Sequence, residues 1–108
     1  MNNKLYLAIL VALISGCATK VTITGKAYPP TEPENIKVFA QEKPACALEE
    51  LGLIVTNLKW NQEIAINDAK SKASELGATY IQITEVERNI YNDAAVTAVA
   101  FRCRNDKR

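Results

Sequence analysis

The sequence predicts a two-layer α+β domain, with one helix packed on a mostly antiparallel sheet in the order β-β-α-β-β. Three observations lead there. Four short segments either alternate apolar with polar residues or are dense in β-branched and apolar residues. One segment alone carries an apolar stripe at helical spacing, formed by Ala65, Ile66, Ala69, Ala73 and Leu76. Gly, Pro, Asn and Asp punctuate the stretches between them.

Ala18 to Ala27 is polar, with Val21 and Ile23 alternating, and reads as a tether or a short edge strand. In Tyr28-Pro29-Pro30-Thr31-Glu32-Pro33-Glu34 the prolines remove backbone donors and favour extended geometry. That segment is a stiff spacer or a strap across the domain surface. Ile36, Val38 and Ala40 alternate with Lys37, Phe39 and Gln41, which marks the first strand of the globular part. Gln41 to Ala47 is a loop broken by Pro44. Glu49 to Leu58 is rich in apolar and β-branched residues and forms the next strand, with Gly52 placed for a bulge.

Asn61 is placed to cap a helix over Gln62 to Leu76. Glu63 and Asp68 towards its start, and Lys70 and Lys72 further on, complement the helix dipole. Asp68, Lys70, Lys72, Ser74 and Glu75 fall outside the apolar arc, and Gly77 supplies a left-handed stop. The stripe is mostly alanine, so the helix is expected to lie close against the sheet. Thr79 to Arg88 is the third strand, with Ile81 and Ile83 facing inward. Tyr91-Asn92-Asp93-Ala94 is a hairpin turn, and Ala95 to Arg104 is the closing strand, with Val99, Phe101 and Cys103 on one face. Trp60, just before the helix, is expected to plug one end of the small core; its other reading is a binding anchor exposed on a loop. Tyr28 either binds a partner or folds back onto the sheet.

Composition excludes several functions. The chain has 108 residues, a formal charge of +1 and no basic cluster, so it carries no electrostatic footprint for nucleic acid. It contains no histidine, the commonest general base near neutral pH and the commonest metal ligand. Ser71 and Ser74 are placed on the solvent side of the helix with no base beside them. The acidic pairs Glu49/Glu50 and Glu85/Glu87 read as solvated charge. The chain is therefore expected to be no enzyme and to carry no cofactor or metal.

The first residues read as an address. Met1 to Lys4 is short, polar and carries one positive charge, and Leu5 to Ile14 is continuously apolar. Small residues follow, as in a secretory signal peptide. At ~1.5 Å per residue such a helix covers ~15 Å, about half of a bilayer's hydrocarbon core. Ile14-Ser15-Gly16-Cys17 resembles the lipobox of bacterial lipoproteins: a branched aliphatic, a small residue, Gly or Ala, then Cys. The resemblance implies diacylglycerol on the Cys17 thiol, cleavage between Gly16 and Cys17, and acylation of the new amine. Ala18 in place of Asp after that cysteine implies export to the outer membrane. The organisation expected is a signal peptide over 1–16, a lipidated tether over 17–35 and a small periplasmic domain over 36–108.

Two cysteines remain, Cys46 and Cys103. In an oxidising compartment an even remainder favours a disulfide. They meet only if the start of the second strand lies beside the end of the last. Two buried free thiols, or a thiol pair that binds a ligand or metal, are the other readings. Two thiolates without histidine leave few soft ligands for structural zinc.

With these residues placed, the chain resembles the small periplasm-facing lipoproteins related to the Rcs stress-sensor lipoprotein of enterobacteria. The resemblance rests on the lipobox, the prolines, Ile36-Lys37-Val38-Phe39, Glu50-Leu51-Gly52 and Ala69-Lys70-Ser71-Lys72-Ala73. It continues through Leu76-Gly77-Ala78-Thr79-Tyr80-Ile81 and Ala98-Val99-Ala100-Phe101-Arg102-Cys103. It implies a β-β-α-β-β domain held by disulfides that contacts partner proteins and catalyses nothing. Cys103 matches a disulfide-bonded family position. The family's partner cysteine lies near where Leu58-Lys59-Trp60 stand here, and its second disulfide has no counterpart. The function expected is that of an envelope lipoprotein, bound to the membrane through lipid and facing envelope proteins. The alternative is a thiol-dependent metal- or ligand-binding domain, as in small heavy-metal-binding domains of similar strand-helix order.

Overall fold

The computed structural model describes residues 18–104. Its elements are β1 (Lys20–Ile23), a 3-10 turn (Pro33–Asn35), β2 (Lys37–Phe39), β3 (Leu48–Val55), α1 (Gln62–Glu75), β4 (Tyr80–Arg88) and β5 (Ala94–Cys103). The sheet has five strands in the order β1-β3-β5-β4-β2. β1 with β3, β3 with β5 and β4 with β5 run antiparallel, while β2 runs parallel to β4. Among the described residues the fold is α+β, with one α-helix on one face of the sheet.

Each local signal has a visible cause. Asn61 has an extended backbone, and its side chain accepts a hydrogen bond from the Ile64 amide at 2.9 Å, satisfying one orphan donor of the first turn. The helix ends at Gly77, whose φ of +85° lies in the left-handed region. A Cβ there would stand 2.6 Å from the Tyr28 Cβ and 2.8 Å from the Pro29 carbonyl oxygen, so glycine is required by space as well as by torsion. The β3–β5 register shifts between Glu50 and Gly52, which leaves Leu51 as the extra residue of a bulge beside Gly52. The hairpin between β4 and β5 is tied by the Asn89 side chain, which accepts hydrogen bonds from the Tyr91 and Asp93 amides.

The core lies between α1 and one face of the sheet. Ala65, Ala69 and Ala73 of the helix are fully buried against Leu51, Ile54, Ile81, Val96, Ala98 and Ala100. Small side chains on both layers let the helix approach the central strand closely. Val99, Phe101 and Cys103 do share a face, but alternation sends Ala94, Val96, Ala98 and Ala100 to the helix side. Phe101 therefore lies on the open face, where Phe39 packs against it and against Tyr80, with both ring centroids 6.2 Å away.

Of the two readings of segment 18–35, tether and spacer or edge strand and strap, the structure shows the second, and two further expectations are corrected. The segment's first part is edge strand β1, paired to β3 from Lys20↔Val55 to Ile23↔Gly52. Its proline-rich part is a strap: the Thr31 amide donates to the Ser74 carbonyl at 2.9 Å, and the Thr31 hydroxyl to the Ala78 carbonyl at 2.6 Å. Ser74 is consequently buried rather than solvent-facing, because the strap covers the last turn of α1; its hydroxyl donates to the Ser71 carbonyl. Trp60 does not plug the core and is 84% exposed. That end is closed instead by Thr56, whose hydroxyl oxygen accepts the Val96 amide, and by the Lys59–Ala94 bridge.

Candidate functional site

The N-terminal site residues, Gly16 and Cys17, lie outside the described residues. What the structure does place is the chain that follows them. Ala18 and Thr19 lead directly into β1. Thr19 donates from its hydroxyl to the Asp68 carboxylate, and Asp68 pairs with the Lys59 ammonium at 3.8 Å. The first described residues are thus fixed to the middle of α1 and, through Lys59, to the connection that precedes it.

Cys46 and Cys103 are joined in a disulfide, with a Cα–Cα distance of 5.6 Å. The register explains the meeting: β3 begins with Leu48 opposite Cys103, so the loop entering β3 passes the end of β5. The Arg104 amide donates to the Ala47 carbonyl at 2.7 Å beside the bridge. Sulfurs bonded to each other offer no thiolate, which is the form that binds metals. Among the described residues, no group of three or more His, Cys, Asp and Glu is placed to hold a metal ion.

A polar cluster sits beside the strap. The Tyr28 hydroxyl donates to both carboxylate oxygens of Glu49, at 2.8 and 2.9 Å. The Arg102 guanidinium stacks 4.0 Å from the Tyr28 ring centroid and reaches towards the Gly77 carbonyl. The hydrogen bond to Glu49 raises the Tyr28 pKa above its ordinary value, with burial and the Glu49 charge acting in the same direction and Arg102 opposing. Tyr28 folds back onto the sheet, and all three residues serve to hold the strap down. Glu85 and Glu87 are exposed on β4. A groove of about 410 Å³ between β2, β4 and α1 is lined by Val38, Ile66, Ile83 and Val86 among others, with Glu85 as its ionisable residue.

The structure also exposes residues that sequence reasoning passed over. Leu58, Ile90 and Tyr91 are 55%, 89% and 77% exposed, and with Trp60 they are large apolar groups in water. Ile90 and Tyr91 sit beside Asn89 and Asn92 in a turn, the one signal that marks them as surface residues.

Comparison with protein-family models, with curated proteins and with solved structures yields no match to this chain. Among the described residues, no helix is long and apolar enough to cross a membrane.

Proposed function

We propose that this chain is a lipoprotein of the bacterial cell envelope, held by acyl chains on Cys17 at the periplasmic face of the outer membrane. Its α+β domain is presented to protein partners, and it catalyses no reaction. The observation that carries this reading is Ile14-Ser15-Gly16-Cys17 at the end of a short apolar stretch, immediately ahead of a small fold whose first strand begins at Lys20. Each buried acyl CH₂ contributes ~0.8 kcal/mol, so several chains make the attachment effectively permanent. Confinement to the membrane raises the effective concentration of the domain for a partner in the same layer. The disulfide between Cys46 and Cys103 suits an oxidising compartment and disfavours the thiol-dependent alternative.

The test is Cys17→Ser in cells labelled with palmitate. Labelling is expected to vanish, and the protein to persist unprocessed or leave the lipid-anchored fraction. Unchanged labelling and processing would overturn the reading.

A further inference from the structure

The strands run so that one end of the sheet gathers the start of β1, the end of β3, the end of β4 and the start of β5. The register fixes this: Lys20 lies opposite Val55, Val55 opposite Thr97, and Arg88 opposite Ala94. The bridge between Lys59 and Ala94, with amide-to-carbonyl bonds of 2.8 and 2.9 Å in both directions, adds the connection carrying Leu58 and Trp60 to the same end. The β4–β5 turn carries Ile90 and Tyr91 there. Four exposed large apolar side chains therefore share the end of the fold at which the described chain starts. A short path joins them to that start. Thr19 bonds Asp68, Asp68 pairs with Lys59, and Trp60 is the next residue. Between Cys17 and β1 stand only Ala18 and Thr19, which extended reach at most ~7 Å.

We propose that this end, through Leu58, Trp60, Ile90 and Tyr91, is a second contact with the lipid bilayer, inserting at the level of the headgroups. The inference rests on the lipid anchor proposed above. An acyl group on Cys17 would hold this end against the membrane, because the leash is too short to let the domain swing free. The side chains present suit that position. Trp and Tyr combine an apolar ring with a polar edge and concentrate at membrane–water interfaces, while Leu and Ile add apolar area. Of the ionised groups at this end, Lys59 pairs with Asp68, Arg88 bonds Gln62 and Asp93 accepts from the Asn89 side-chain amide, while Lys20 and Glu87 stand exposed at its margin. Contact of this kind would orient the sheet with its strands rising from the membrane. The opposite end, which carries the Cys46–Cys103 bridge and the strap, would then face away from the bilayer.

Trp60 is the only tryptophan, so it reports on this end without labelling. The full chain, processed by cells and purified in detergent, is reconstituted into phosphatidylethanolamine–phosphatidylglycerol vesicles with and without brominated phosphatidylcholine. The Cys17→Ser chain in buffer is the exposed reference. The expected result is co-sedimentation with vesicles, a blue-shifted Trp60 emission, quenching by the brominated lipid and loss of most quenching by iodide. Ile90→Ser combined with Tyr91→Ser should reduce the lipid quenching while leaving co-sedimentation intact. A protein that co-sediments but keeps the emission and iodide quenching of the reference overturns the inference alone, and leaves the apolar end for a protein partner. A cell-processed protein that stays in solution overturns both the inference and the anchor.

Discussion

Cys46 and Cys103 illustrate how a pair of residues acts through the unfolded chain. Their bond closes a loop with a sequence separation of 57, which in the chain-entropy picture lowers the freedom of the unfolded state by about 4 kcal/mol. For a fold whose buried groups are so often alanine, that is comparable with the net stability of a small domain. Replacing both cysteines by serine is therefore expected to cost several kcal/mol, read as a lower urea midpoint. Native protein measured in reductant should fall to the same midpoint. A double variant as stable as the oxidised chain would show that the bridge is incidental. The number of cysteines made the bridge legible, but the adjacency of β3 and β5 that permits it did not show in the residues. Trp60 departs from its expected place for a related reason. Its size fits the end of a core, and only the three-dimensional closure by Thr56 and the Lys59–Ala94 bridge shows that the place is taken.

The helix was legible as an element almost to the residue, because a side-chain cap, a stripe and a left-handed glycine all agree at Asn61, Ala65 to Ala73, and Gly77. The sheet was less so. In β5 both faces read as apolar, Ala94, Val96, Ala98 and Ala100 on one and Val99 and Phe101 on the other, so the pattern does not say which meets the helix. The parallel pairing of β2 with β4 left no local mark either, since three residues carry too little pattern to set direction. The alanines explain the choice of face. Ala69 on α1 is fully buried in the cluster that includes Ala98 and Ala100 of the central strand, where both layers contribute alanine, while Leu51, Ile54 and Ile81 of the flanking strands fill the space to either side. Ala69→Leu should thus overpack the interface and destabilise the domain by about 1–3 kcal/mol, measured as a shift in urea midpoint with an unchanged slope. An unaffected midpoint would mean that the helix can lift from the sheet without loss.

At the scale of the whole molecule, segment 18–35 shapes the account most. Its composition is that of a linker, yet both of its halves are built into the fold. β1 closes the sheet edge beside β3, and the strap is held by Thr31 and by Tyr28 with Glu49 and Arg102. The polar and proline-rich pattern gave both readings equal support, because main-chain hydrogen bonds to a sheet edge or a helix end leave no trace in side-chain chemistry. The consequence is a domain that begins almost at Cys17, with no spacer to set its reach. With the lipid proposed on Cys17, membrane attachment and domain orientation would be one property, and the exposed end near Thr19 would be the part held at the bilayer.

The most direct measurement is the intact mass of the protein extracted from the membranes of cells that make it. The account predicts a polypeptide that starts at Cys17 and carries a diacylglyceryl group on its sulfur and a further acyl chain on its amine. A polypeptide that retains Met1, or is cut at another bond and leaves the Cys17 sulfur unmodified, would contradict it.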